Sequence, residues 1–180
     1  MASNVRRALE SWLQKIPVKG SVLDIGGVFM PIKGRTKTWE VTNYRILDQV
    51  TGRGSIKADY VVDINRPFNL NEQFDVIFCI EVITHVYDPM QVFKNISKHL
   101  KKGGTLYLST HFVFPHHSGF DCLRYTRNAL TKLCEVNGLC DIKITPRLST
   151  NGKLLSEYFM SESKVVKYGE EIGYLVSATK

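Results

Sequence analysis

The stretch Gly20 to Met30 reads Gly-Ser-Val-Leu-Asp-Ile-Gly-Gly-Val-Phe-Met. Val22, Leu23 and Ile25 form a nearly unbroken apolar run, the pattern of a strand covered on both faces, and Gly26-Gly27 removes side chains where that strand ends. Backbone without Cβ atoms lets a ligand approach closely. In open α/β sheets ligands sit beyond the carboxyl ends of the strands, where strand order reverses, so a diglycine here suits a nucleotide-like cofactor. Read alone, it suits a tight turn after a core strand equally well.

Upstream, Val5, Ala8, Leu9, Trp12 and Ile16 recur at helical spacing and predict an amphipathic helix from about Asn4 to Ile16, ended by Pro17. Downstream, Pro31, Gly34 and polar residues leave room for only a short or irregular helix before a second strand, Tyr44 to Asp48. Residues 49–58 then separate it from a third strand, Asp59 to Asp63. A parallel crossover usually takes a dozen residues or more, so this connection holds a turn of helix at most. Phe74 to Ile80 is the fourth and most apolar strand. Asp88-Pro89 supplies an N-cap and a first-turn proline for a helix whose stripe is Phe93, Ile96 and Leu100. Gly103-Gly104 turns into a fifth strand, Thr105 to Ser109. A helix follows from about Thr126 to Asn137, with Gly138 placed to stop it. Asp141 to Thr145 and Gly173 to Thr179 read as two final strands with an antiparallel edge, and residues 149–170 as a hairpin extension or short helix. Strands alternating with helices predict a mostly parallel α/β sheet with helices on both faces and abbreviated connections among its first three strands.

At 180 residues, 43% of them hydrophobic, the chain suffices for one domain with a sizeable core, and no repeat or linker divides it. The formal net charge of +7 would attract an anionic partner, nucleic acid or a phosphorylated metabolite, but the basic residues are scattered. The four cysteines form no Cys-x-x-Cys pair, which fits a reducing, cytoplasmic setting. The N-terminal residues match neither a signal peptide nor a membrane span, and no membrane partner is expected.

Four acids end or follow successive strands: Asp24, Asp48, Asp63 and Glu81. Each alone reads as a solvated strand end. Together they line one edge of the sheet, and Asp48 lies 24 residues beyond Asp24, close to the spacing at which a nucleotide-binding βαβ unit places the acid that accepts from ribose hydroxyls.

With these parts in place, the stretch from Ser21 to Gly138 resembles the class I S-adenosylmethionine-dependent methyltransferases, in particular the small methyltransferase type 11 group. The resemblance rests on Val-Leu-Asp24-Ile-Gly26-Gly27, Pro31-Ile-Lys33, Asp48, Ala-Asp59-Tyr-Val-Val-Asp63 and Phe74 through Glu81-Val-Ile-Thr-His85-Val-Tyr-Asp88-Pro89. Leu100-Lys-Lys-Gly-Gly104 and Asp121-Cys-Leu-Arg124-Tyr125-Thr126 complete it. It implies a Rossmann-like sheet, a single methyltransferase domain over residues 1–180, and S-adenosylmethionine as cofactor. By the same resemblance Asp24 and the Gly26-Gly27 backbone would hold the methionine portion, Asp48 the ribose hydroxyls, and Asp63 with the Ile64 amide the adenine. Glu81 would face the centre of the site, and His85 would lie near the transferring methyl. The chain departs from the family at Val28-Phe29, where a further glycine is usual.

Methyl transfer from a sulfonium needs alignment in a dry site, and a base mainly when the nucleophile is a hydroxyl. His85 and His111 follow strands at the cofactor edge and are the candidate bases; a structural histidine is the alternative for each. His111, His116, His117 and Asp121 suit zinc or iron by residue type, but their spacing matches no ligand pattern and no metal is expected. Phe112, Phe114, Phe120 and Tyr125 read as a lid that excludes water. With no appended recognition domain, the expected acceptor is a small metabolite or sugar-like molecule. Nucleic acid is a second acceptor, although Glu81-Val-Ile-Thr stands where base-modifying relatives carry Asn-Pro-Pro-Tyr. A catalytically silent assembly partner of the same fold is a third reading. A nicotinamide oxidoreductase is disfavoured, because Gly-x-Gly-x-x-Gly is absent.

Overall fold

Helix α1 (Asn4–Leu13) starts where the Ser3 hydroxyl accepts the N–H of Arg6, and it turns Leu9 and Leu13 inward. It ends a turn before the expected Ile16. The computed structural model describes residues 3–116, 119–150, 154 and 170–180, so most of the stretch 149–170, left open between hairpin and helix, lies outside the described residues, as does His117.

The strands follow as β1 (Pro17–Ile25), β2 (Thr38–Asp48), β3 (Gly52–Arg53), β4 (Ile56–Lys57), β5 (Tyr60–Val61), β6 (Phe74–Ile80), β7 (Leu100–His111), β8 (Cys140–Leu148) and β9 (Glu171–Thr179). Helix α2 (Pro89–His99) precedes β7, and α3 (Arg127–Val136) precedes β8. Asp88 and Thr126 cap α2 and α3 through their side chains. Among the described residues one sheet runs β5-β2-β1-β6-β7-β9-β8. Its first five members are parallel, and β9 pairs antiparallel with both β7 and β8. The expected antiparallel pairing is therefore present, with the reversed strand one place in from the edge. The chain winds outward from β1 through β2 to β5, then returns to β6 on the other side of β1. The switch point lies between β1 and β6.

Alternation along the strands divides the core in two. Leu23, Ile25, Ile77, Cys79, Leu106 and Leu108 pack against Val92, Phe93 and Ile96 of α2 and Leu130 and Cys134 of α3. Val22, Val76, Phe78 and Leu175 pack against Leu9 and Leu13 of α1 on the opposite face. The abbreviated connections are also present. Residues 26–37 contain no helix among the described residues, and β3 pairs with β4 as a small ribbon in the β2–β5 crossover, in place of the turn of helix the length allowed. The strand expected from Thr105 starts earlier, at Leu100, with a register shift between the Phe74–Leu100 and Val76–Thr105 pairs; within that stretch the Gly103 N–H donates to the Lys180 carbonyl.

Candidate active site

At the end of β1 the N–H of Gly26 donates to the Leu47 carbonyl, which holds the diglycine turn against the end of β2. Gly26 has φ of +80°, and a Cβ there would run into the Val82 side chain; a Cβ on Gly27 would lie 2.5 Å from Asp24 Oδ2. Asp24 itself is only 2% exposed. Its Oδ2 accepts from the Ile32 N–H at 2.7 Å and from the Tyr44 hydroxyl at 2.6 Å, so its carboxylate lies beneath the loop and ties the loop's middle to β2. Burial pushes the Asp24 carboxyl up to about 6 against the pull of those two hydrogen bonds. Tyr44→Phe keeps the ring and removes one of the donors. It is expected to lower stability by about 1–2 kcal/mol, or about 2–8 °C in a thermal melt, and an unchanged Tm would refute this role for the hydroxyl.

Val28 stands where the family resemblance leads to the expectation of a further glycine. Its side chain is buried at 1% exposure, and its N–H meets Asp48 Oδ2 at 3.3 Å. Phe29 points outward beneath the Arg53 guanidinium, 5.0 Å from the ring centroid. The loop thus buries the first of these two side chains and exposes the next. Asp48 Oδ1 accepts from Gln49 N–H at 2.7 Å, so this carboxylate sits at the tip of β2 among backbone donors. Farther along the edge Asp63 is exposed, and its Oδ1 accepts from the backbone and side-chain amides of Asn65. Asn95 of α2 holds this segment from below through the Ile64 and Arg66 carbonyls, while Asn65 Oδ1 receives the N–H groups of Tyr87 and Asp88.

Across the switch point Glu81 follows β6 with φ of +61°, a left-handed conformation that costs a non-glycine residue free energy and must be held by its surroundings. Its N–H donates to the Ser109 carbonyl and hydroxyl. Its Oε1 accepts from Ser109 Oγ at 2.5 Å and Arg147 Nη1 at 2.6 Å, and its Oε2 pairs with His111 Nε2. Burial pushes the Glu81 carboxyl up, but the His111 hydrogen bond, the charges of Arg147 and His111 and the Ser109 hydroxyl outweigh it and hold the group at about 2. Because the folded value is depressed, the stability this group supplies is complete above about 4.5 and is lost as pH falls toward about 2. Glu81→Gln should therefore be less stable than wild type at pH 7, with a gap that narrows between pH 4.5 and about 2. Urea midpoints across that range would test this, and a constant gap would contradict it.

The structure brings only one of the two candidate imidazoles onto Glu81. His111 pairs with the acid and stacks on Phe114, 4.1 Å between centroids. His85, in the 3-10 turn Ile83–His85, lies with Nδ1 3.1 Å from the Phe120 carbonyl and joins that turn to the loop after β7. The Tyr125 hydroxyl donates to the Ile83 carbonyl in the same joint. Asp121 is paired with Arg124, and no metal-ligating cluster occurs among the described residues. Tyr44, Ser109 and Arg147 are not expected from the sequence. A tyrosine, a serine and an arginine inside strands carry no spacing signal, and a lone strand arginine reads as solvent-facing.

The strand order, the switch point between β1 and β6, and the acid-lined edge beyond it define a doubly wound α/β protein of the nucleotide-binding kind. The sequence profile of the methyltransferase domain family matches residues 1–139, and the chain belongs to that family. A tRNA U34 carboxymethyltransferase of Helicobacter hepaticus is 50% identical over 40 residues, 22% of this chain and 13% of that protein. A ubiquinone biosynthesis O-methyltransferase of Xanthomonas campestris pv. campestris is 36% identical over 58 residues, 31% of this chain and 24% of the relative. The matches thus span a quarter or less of those relatives' own lengths. A solved S-adenosylmethionine-dependent methyltransferase of Mesorhizobium loti superposes over 99% of both chains with a TM-score of 0.68 at 14% identity, which is a likeness of fold. No helix among the described residues is long and apolar enough to cross a membrane.

Proposed function

We propose that this protein, acting as a single domain, transfers the methyl group of S-adenosylmethionine to a small-molecule acceptor. The observation that carries the reading is the pairing, across one switch point, of a side-chain-free turn at Gly26-Gly27 with acids at the ends of β2 and β6. The Gly26-Gly27 backbone would meet the methionine portion, Asp48 the ribose hydroxyls, and Asp63 with the Ile64 amide the adenine. The two glycines let the turn pack directly on the Val82 and Asp24 side chains, and they put no side chain of their own between the turn's amides and the edge of the sheet, which supports this fit. Asp24 acts through the loop it fastens. When bound, the cofactor supplies an electrophilic methyl group on a sulfonium. Where the acceptor atom is a hydroxyl, its proton passes to His111, while Glu81 fixes that ring. His85 shapes the pocket wall.

A small acceptor is supported by the exposed apolar side chains of Phe112, Phe114 and Phe120 in the segment that follows His111, which suit an apolar body better than a phosphate backbone. Ligand at about a hundred times its Kd stabilises a protein by about 2.7 kcal/mol, so S-adenosylhomocysteine should raise Tm by about 5–11 °C. No shift at millimolar ligand would remove the reading. A nucleic-acid acceptor has the net charge of +7 and the partial tRNA-modifying relative in its favour. It would show as RNA binding that weakens steeply with salt.

A further inference from the structure

We infer that Arg147 is a positioning residue of this site: reaching from β8 over Gly173 of β9, it holds the Glu81 carboxylate against His111, so that the imidazole carries its proton on Nε2 and keeps Nδ1 as the basic nitrogen. The inference rests on the reading of His111 as the base.

Arg147 is 2% exposed, among the largest fully buried side chains of the protein. Its burial follows from strand register. His111 of β7 pairs with Gly173, and Gly173 pairs on its other side with Arg147, so the three lie in a row across the sheet. Gly173 leaves that row open: a Cβ there would lie 2.6 Å from the Thr110 carbonyl and 3.5 Å from Arg147 Cδ. The arginine stem crosses in the space so left. At its far end Nη1 donates to Glu81 Oε1, and Nη2 donates to the Val5 carbonyl of α1 at 3.0 Å. The guanidinium is thereby fixed between the site and the first turn of the N-terminal helix.

The consequence for His111 follows from donor and acceptor roles. An ionised carboxylate only accepts, so a ring nitrogen paired with it must carry hydrogen. The charged groups that meet Glu81 are His111 from β7 and Arg147 from β8, joined by the Ser109 hydroxyl. With Nε2 so committed, the neutral ring bears its lone pair on Nδ1, a buried atom with no hydrogen-bond partner among the described residues. An imidazole whose acidic neighbour fixes its tautomer is the arrangement by which a histidine is readied to take a proton. Among the described residues no hydrogen bond or ion pair joins Arg147 to His111, so the arginine acts through Glu81.

The test is nitrogen-15 long-range correlation NMR of the histidine rings in the full chain saturated with S-adenosylhomocysteine, with carbon-13 titration of Glu81. In wild type the neutral His111 ring should be the Nε2–H tautomer. In Arg147→Met it should become a mixture, and Glu81 should titrate higher by about one pH unit or more. Arg147→Lys, which restores the charge, should recover most of both signals, and ligand affinity should stay within about threefold of wild type throughout, because the diglycine and Asp48 are untouched. If Arg147→Met fails to fold, Arg147→Gln, which keeps a polar side chain but removes the charge and leaves Glu81 in place, is used instead and should show the mixed tautomer. A pure Nε2–H ring in the folded Arg147→Met or Arg147→Gln variant overturns the inference whatever the turnover. A mixed tautomer together with undiminished methyl transfer by His111→Gln overturns instead the base role on which it rests.

Discussion

Asp48→Ala is expected to abolish the thermal stabilisation that S-adenosylhomocysteine gives the wild-type protein. The carboxylate stands at the tip of β2, with Oδ2 3.3 Å from the Val28 N–H of the diglycine loop and Oδ1 2.7 Å from Gln49 N–H. On the proposed reading it also accepts from the ribose. Hydrogen bonds to a charged group contribute about 1.5–3 kcal/mol each, so losing two of them lowers affinity by about a hundredfold or more. The unliganded protein should melt within a few degrees of wild type, because Asp48 is partly exposed and its backbone donors can turn to water. Differential scanning fluorimetry with and without ligand separates the two effects. A ligand shift within 1 °C of the wild-type shift would exclude a ribose contact at Asp48.

Gly26→Ala is expected to give the larger loss of stability. A non-glycine residue at φ of +80° costs about 1–2 kcal/mol, and the new methyl would overlap the Val82 side chain, where overpacking adds about 1–3 kcal/mol. Val82 opens the 3-10 turn that carries His85, and it packs against the larger core cluster, so it has little freedom to withdraw. The sum, about 3 kcal/mol, corresponds to a fall in Tm of about 6–12 °C for a protein of this size, with ligand stabilisation lost as well. A Tm within 2 °C of wild type would mean that the turn has another conformation.

Asp48 and Gly26 are both legible in the amino-acid order because their signals are local. Strand Phe74–Ile80 is readable to the residue, since a buried parallel strand is a continuous apolar run; so are the Asp88 cap and Pro89 start of α2. Strand β5 is shorter than the expected Asp59 to Asp63, because alternating apolar residues near an edge do not say how many find a partner. The β3–β4 ribbon escapes a reading by pattern, since pairs of two residues carry almost no periodicity. At the site, Asp24 illustrates how a place in a motif fails to specify direction. Its position at the end of β1 is plain from the apolar run, but that its carboxylate faces Ile32 and Tyr44 beneath the loop depends on the path of residues 26–37.

Strand periodicity, glycine placement and chain spacing are properties of neighbouring residues, and they suffice for the switch-point sheet, the diglycine turn and the acids along its carboxyl edge. Which imidazole meets Glu81, and that Arg147 joins them, comes from three-dimensional packing alone. The Arg147–Glu81 contact spans 66 residues of chain and depends on the register of β7, β9 and β8, with Gly173 leaving the space between. Register is a collective outcome of packing a whole sheet against α1 on one face and α2 and α3 on the other.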